Sequence, residues 1–295
     1  MSYIRKIVKA IIIPIAVFVD RILVRMRIVR PKVILYVDGG LCSQMSMWAN
    51  GEYYTEHSFD VYYDLEWFDN CGKGIDGVSV RNYELNILWP KVKVNTLPHW
   101  KLAIYKYFLS WPEVSCVLPR AEVIDRSVYF RGYHKLPKED KVRIMRKNFA
   151  IDNAARIPKM QLDSTKRYCG VHVRRGDLAN VSLYYYPQVQ DGYFMRAIEY
   201  VQKNERVDEF LLFSDDPEWV RNNILPNVTS PCRMVEGNKG YEDLILLAQC
   251  PIIIASQGSF GRVAGLINHN CELFISNFPV ENMTHLAKRV MQVQL

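Results

Sequence analysis

Apolar and polar positions alternate along this chain in two rhythms, and the changes of rhythm mark its elements. Near the start, Ile4, Ile7, Val8, Ile11, Ile12, Ile15, Phe18, Val19 and Ile22 recur at helical spacing, with Lys and Arg between them at both ends. The unbroken apolar run, 10–19, contains Pro14 and falls well short of the roughly 20 residues a helix needs to cross a bilayer. It also lacks the small-residue cleavage site of a secretion signal. The pattern predicts a basic amphipathic helix over 1–31 that lies in a membrane interface. Its Ile and Phe would enter the acyl boundary, and its Lys and Arg would meet anionic headgroups. A helix docked on the protein's own core and a short type II anchor ahead of a lumenal domain remain as alternatives.

After Pro31 the rhythm shortens. A buried strand is predicted at 32–37, running into Asp38-Gly39-Gly40 and a helix over 41–54. A second strand follows at 60–65. The stretch 68–119, rich in Trp, Pro and Tyr, predicts irregular structure with helices. A short strand falls within 120–133 and a helix of mixed charge at 138–155, and the polar 163–166 reads as a junction. Beyond it, strands at 168–173, 209–213, 232–235, 251–255 and 271–275 alternate with helices at 192–203, 217–223, 241–249 and 260–268. A last helix is expected over 284–294. Alternation of this kind implies an α/β fold, a parallel sheet with helices on both faces. The two halves predict two facing Rossmann-like domains, 32–162 and 163–295, behind the N-terminal helix.

Composition narrows the class. Of 295 residues, 49% are hydrophobic and 23% charged, which excludes global disorder. Residues 1–32 hold eight basic residues against the single acid Asp20, so the whole net charge of +7 lies there and the remainder is neutral. A nucleic-acid binder spreads its basic residues over a folded face instead, so no nucleic-acid partner is expected. The seven cysteines form no C-x-x-C pair and read as reduced, mostly buried thiols of a cytoplasmic protein. The N-x-S/T triplets at Asn180, Asn227 and Asn282 are no more than chance supplies.

Ligands of open α/β sheets bind beyond the carboxyl ends of the strands, and three polar clusters fall at such ends. The first is His172-Val173-Arg174-Arg175-Gly176-Asp177. Adjacent guanidinium forks ahead of a glycine suit a phosphate or pyrophosphate, although a surface salt-bridge cluster closed by Asp177 has the same composition. The second is Ser214-Asp215-Asp216. Its carboxylates can accept from the N–H edge of a guanine base, cap the helix that begins at Pro217, or bind a metal. The third, Ser256-Gln257-Gly258-Ser259-Phe260, puts hydroxyls and a glycine before a helix, where N–H groups attract an anion or Ser256 or Ser259 caps the turn. P-loop, H-E-x-x-H and G-x-S-x-G signatures are absent from the sequence.

Together these segments resemble glycosyltransferase family 11, the α-1,2-fucosyltransferases. The matching residues are Gly39-Gly40-Leu41-Cys42-Ser43-Gln44-Met45, 172–177, 213–217 and 242–265, and the resemblance runs from 33 to about 275. The family reads GGLGNQM where this chain has GGLCSQM, and the family's aromatic pair after Ser-Phe is Gly261-Arg262 here. The resemblance implies a GT-B-like, inverting enzyme that transfers fucose from GDP-β-L-fucose to the 2-hydroxyl of a galactoside, with no metal and no cofactor. It implies catalytic roles for Arg174, Arg175 and Asp177, donor binding by His172, Asp215, Asp216, Asp243, Ser256, Ser259 and Phe260, and a glycine loop of Gly39, Gly40 and Gln44. Asp177, beside two guanidinium groups, is too weak a base and is expected to orient them, whereas Asp38 suits proton acceptance better. The basic helix adds a lipid-linked, galactose-containing acceptor in bacterial surface-polysaccharide synthesis and peripheral attachment to the inner face of the membrane. A transferase of the same fold with another GDP-sugar or linkage, or a non-catalytic glycan- or nucleotide-binding relative, is the alternative.

Overall fold

The computed structural model describes residues 11–70, 72, 80–111, 117–131, 135–155, 161–175, 191–256, 258–277 and 283–293. The chain divides into two compact units, Met1–Asn86 with Pro90–Met145, and Ile87–Trp89 with Arg146–Leu295.

The first unit is built on three parallel strands, β1 (Lys32–Tyr36), β2 (Asp60–Asp64) and β3 (Val128–Phe130), in the order β2-β1-β3. Val33, Ile34 and Leu35 of the central strand are fully buried, as a strand covered on both faces must be. Its helices include α1 (Ile13–Arg25), α2 (Leu41–Glu56) and α3 (His99–Phe108). On one face Tyr54 of α2 stacks on Phe130 and Tyr63 donates to the Trp48 carbonyl. On the other, Leu102 and Tyr105 of α3 pack on Ile34 and Tyr129. Helix α1 buries none of its residues and is counted with this unit rather than standing apart. It is tied down by Asp20, which accepts from the backbone N–H and hydroxyl of Ser127, and by an Arg21–Asp125 ion pair of 2.7 Å. Ile4, Ile7 and Val8 lie outside the described residues.

Helix α4 (Lys138–Phe149) ends six residues before the expected limit, because Ala150 turns to an extended conformation and a single 3-10 turn follows. The division between the units falls inside α4, not at 163–166. Phe149 goes with the second unit, where it packs edge-on to Trp89.

The second unit holds six parallel strands, β4 (Tyr168–Val173), β5 (Glu209–Ser214), β6 (Cys232–Met234), β7 (Ile252–Ala255), β8 (Leu273–Ser276) and β9 (Arg289–Gln292). Their order is β6-β5-β4-β7-β8-β9. Numbered within the unit this is 3-2-1-4-5-6, the doubly wound order with a topological switch between its first and fourth strands. Helices α5 (Asp191–Asn204), α6 (Pro217–Asn223), α7 (Gly240–Ala248) and α8 (Phe260–Ile267) connect the strands. All six residues of β4 are buried, and the core gathers Phe194, Ile198 and Val201 of α5 against Val171, Leu212 and Ile254.

The expected last helix is replaced by turns and β9. The open edge of β8 offers a row of backbone donors and acceptors, and the tail pairs with it from Leu273↔Arg289 to Ser276↔Gln292. Met291 and Val293 then pack on the unit's core. Local periodicity cannot register an open sheet edge, and here the edge decides. Cys42, Cys169, Cys232, Cys250 and Cys271 are free thiols among the described residues.

Candidate functional site

In a parallel sheet every strand points the same way, so the loops after β4, β5, β6 and β7 all open at one edge, and the helices that follow begin there. The switch between β4 and β7 divides that edge, and the first and third clusters flank it.

The chain leaving β4 is stitched to the chain leaving β7. Ser256 N–H donates to the His172 carbonyl at 3.1 Å, and the buried Ser256 hydroxyl accepts from Arg174 N–H at 2.9 Å. Ser259 stands at the N-cap position of α8 with no side-chain cap bond. The side-chain capping open to Ser256 and Ser259 is therefore not what they do here. Gly258 precedes Ser259 in the left-handed region, at φ +104.

His172 is buried and lies nearly parallel to Phe260, ring centroids 4.9 Å apart. Burial, opposed by Asp215 and assisted by Arg174, lowers its pKa to about 4, so the imidazole is neutral at physiological pH. Its buried Nδ1 has no hydrogen-bond partner among the described residues. Beneath it Gly261 makes room: a Cβ there would stand 3.6 Å from Nδ1 and 2.6 Å from Ala255 Cβ. This close approach accounts for a glycine where the resemblance leads one to expect an aromatic residue.

The two guanidinium groups lean over the end of β5. Arg174 is ion-paired to Asp215, whose second oxygen accepts from Arg175 N–H at 2.8 Å. Arg175 reaches Asp216 at 3.3 Å and sits over the Trp219 ring, 3.9 Å from its centroid. Asp216 also caps α6 by accepting from Trp219 N–H, the capping alternative for that residue. Ser214 braces the turn, donating to the Val173 carbonyl and accepting from Asp216 N–H. The aspartates thus hold the arginines in a fixed pose, which is what a preorganised anion site requires. Asp243 stands in the first turn of α7, bonded to Asn238 at 3.0 Å. Burial raises its pKa to about 6 against that hydrogen bond. Asp177, Gly176 and Gln257 lie outside the described residues. No group of three or more metal-ligating side chains that could hold an ion occurs among the described residues.

The glycine loop lies in the first unit, after β1. Gly39 adopts φ +76, and Gly40 is the N-cap of α2. Gln44 is buried and clamps the loop, donating to the carbonyls of Gly39 and Asn82 and accepting from Glu84 N–H. Asp38 lies two residues beyond the end of the same strand, and burial raises its pKa. Two features of these regions are not expected from the sequence. One is Trp219 under Arg175, whose only signal is an aromatic residue two places after Pro217. The other is a network at the carboxyl end of β2, where fully buried Asp64 accepts from Tyr129 and from Lys106 at 2.8 Å.

A sequence profile described as glycosyl transferase family 11 matches residues 124–292, more than half of the chain. Galactoside 2-alpha-L-fucosyltransferase SEC1 of Bos taurus is 30% identical over 115 residues, 38% of this chain and 31% of that protein. Galactoside alpha-(1,2)-fucosyltransferase 1 of Plecturocebus brunneus is 27% identical over 128 residues, 42% of this chain and 35% of its own. The matched stretches thus span about a third of the length of these relatives. Among solved structures, a family 9 glycosyl transferase from Veillonella parvula aligns over 90% of this chain and 88% of its own at 9% identity, with a TM-score of 0.44.

Proposed function

Because the chain belongs to glycosyl transferase family 11, we propose that it transfers L-fucose from GDP-β-L-fucose to the 2-hydroxyl of a galactoside, with inversion and without a metal. The observation that carries this reading is the pair Arg174 and Arg175, held by Asp215 and Asp216 beside the topological switch of a doubly wound sheet. In the proposed reaction the acceptor oxygen bonds to fucose C1 as the bond from C1 to the β-phosphate oxygen breaks. GDP leaves with that electron pair, and the acceptor proton passes to a carboxylate. The guanidinium groups meet the charge growing on the departing diphosphate, and the N–H groups of the first turn of α8 face the same charge. Asp243 accepts from the N–H edge of the base. Asp38 takes the proton, because burial raises its pKa and makes it a better acceptor than an exposed carboxylate. The proposed acceptor is a galactose-containing, lipid-linked glycan in bacterial surface-polysaccharide synthesis.

Calorimetric titration with GDP and transfer of labelled fucose to simple β-galactosides test this. Both are expected, and both should persist in EDTA. Arg174→Ala should lower kcat by about 10²–10³, the cost of one preorganised donor, and Arg174→Lys should recover only part of it, because the fork is lost. Absence of both binding and transfer would end the proposal. The Cys42-Ser43 pair in the glycine loop supports, as a second reading, a non-catalytic glycan- or nucleotide-binding relative. GDP binding without transfer separates it from the first.

A further inference from the structure

A helix on the surface of a water-soluble domain turns its apolar stripe inward and its polar residues outward. Helix α1 departs from this by carrying apolar residues on both sides. Its inward positions Ile13, Ala16, Val17, Asp20, Leu23 and Val24 are half-buried, whereas Ile15, Phe18, Val19 and Ile22 are exposed, Phe18 by 61%. The neighbouring α3 repeats the arrangement. Leu102 and Tyr105 pack on the sheet, and Trp100, Ile104 and Tyr107 face outward, Trp100 by 61%. The two helices lie against each other, so two exposed apolar rows adjoin on one unit. Exposed apolar surface of this extent marks an interaction site.

Charge identifies the occupant. Neither α1 nor α3 presents an outward carboxylate. The one acid of residues 1–32 is Asp20, and it is turned inward onto Ser127. Helix α3 contains no acid at all, and the nearby Asp125 is neutralised by Arg21. Arg25, Arg27, Arg30 and Lys101 border the rows and are exposed. Apolar side chains rimmed by cations, with a Trp and a Tyr among them, match the boundary between acyl chains and anionic headgroups. No described helix is long and apolar enough to cross a bilayer.

We infer that α1 and α3 together form one face that beds into an anionic lipid bilayer, with α3, remote in sequence from the basic segment, as its second half. The inference does not depend on the enzymatic reading, since it concerns neither donor nor acceptor.

Flotation of the full chain with vesicles of phosphatidylcholine, with and without phosphatidylglycerol, tests it. Binding is expected to anionic vesicles, weakening as salt rises, since each basic residue near the surface favours it roughly fivefold. Ile104→Glu and Phe18→Glu should each reduce the bound fraction about tenfold or more, because a charge is then driven into the acyl boundary. Both sites are exposed, so the melting temperature and GDP affinity should stay at the wild-type values. Equal flotation of Ile104→Glu and wild type would remove α3 from the face. Equal binding to neutral and anionic vesicles would overturn the inference. So would a dimer, formed without lipid, that either substitution dissociates, because the face would then belong to a second copy of the chain.

Discussion

Asp243 shows what a single residue's surroundings dictate. Its carboxyl group is largely withdrawn from water, and burial outweighs the Asn238 hydrogen bond to lift its pKa to about 6. A raised pKa means the proton is retained to higher pH, so the ionised form, the one the proposed base contact requires, is lost as pH falls through about 6. GDP affinity should therefore fall below that pH, by up to about tenfold per unit. Asp243→Asn should weaken binding and flatten the slope, and titration calorimetry between pH 5 and pH 8 checks both. His172 contributes nothing to this profile, because burial keeps it neutral down to about pH 4. The charged residues of the first two clusters are legible in the sequence because like charges rarely sit side by side without a task. Their mutual pairing is not legible. That Asp215 grips Arg174 depends on β4 and β5 being in register, His172 opposite Phe213.

At the scale of elements, the site depends on how closely α8 approaches β4 and β7. Gly261 sets that approach. A methyl group there would stand 2.6 Å from the Ala255 Cβ, a distance real side chains do not tolerate, and neither strand nor helix can retreat without disturbing the sheet. Gly261→Ala should cost about 1–3 kcal/mol, the usual range for overpacking. It should also weaken GDP binding by displacing the Phe260 ring from His172. A lowered denaturation midpoint with unchanged m-value would identify the effect as loss of stability. The inner strands of the second unit were predictable because a strand buried on both faces is a short run of Ile, Leu, Val and Phe that no surface helix mimics. The tail was not, because its identity as β9 is conferred by the edge of β8 rather than by its own pattern.

For the whole molecule, the division into units makes the proposed donor binding and proton acceptance separable. Arg174, Arg175, Asp243 and the start of α8 all belong to the second unit, whereas Asp38 and the glycine loop belong to the first. The alternation of elements makes two α/β units foreseeable, and only the contacts place their division within α4. If Asp38 accepts the acceptor proton, its loss must leave the donor site untouched. Asp38→Asn is therefore expected to bind GDP within about twofold of wild type while kcat falls by about 10²–10⁴, the range that general-base catalysis supplies. The pH dependence adds a second signature. A base acts only when ionised, so with its pKa raised by burial the acidic limb of the wild-type rate profile should lie at higher pH than an unburied aspartate would put it. That limb should disappear in the variant. A variant that loses GDP binding along with turnover would show that Asp38 supports the fold of the glycine loop, and the proton acceptor would then lie elsewhere.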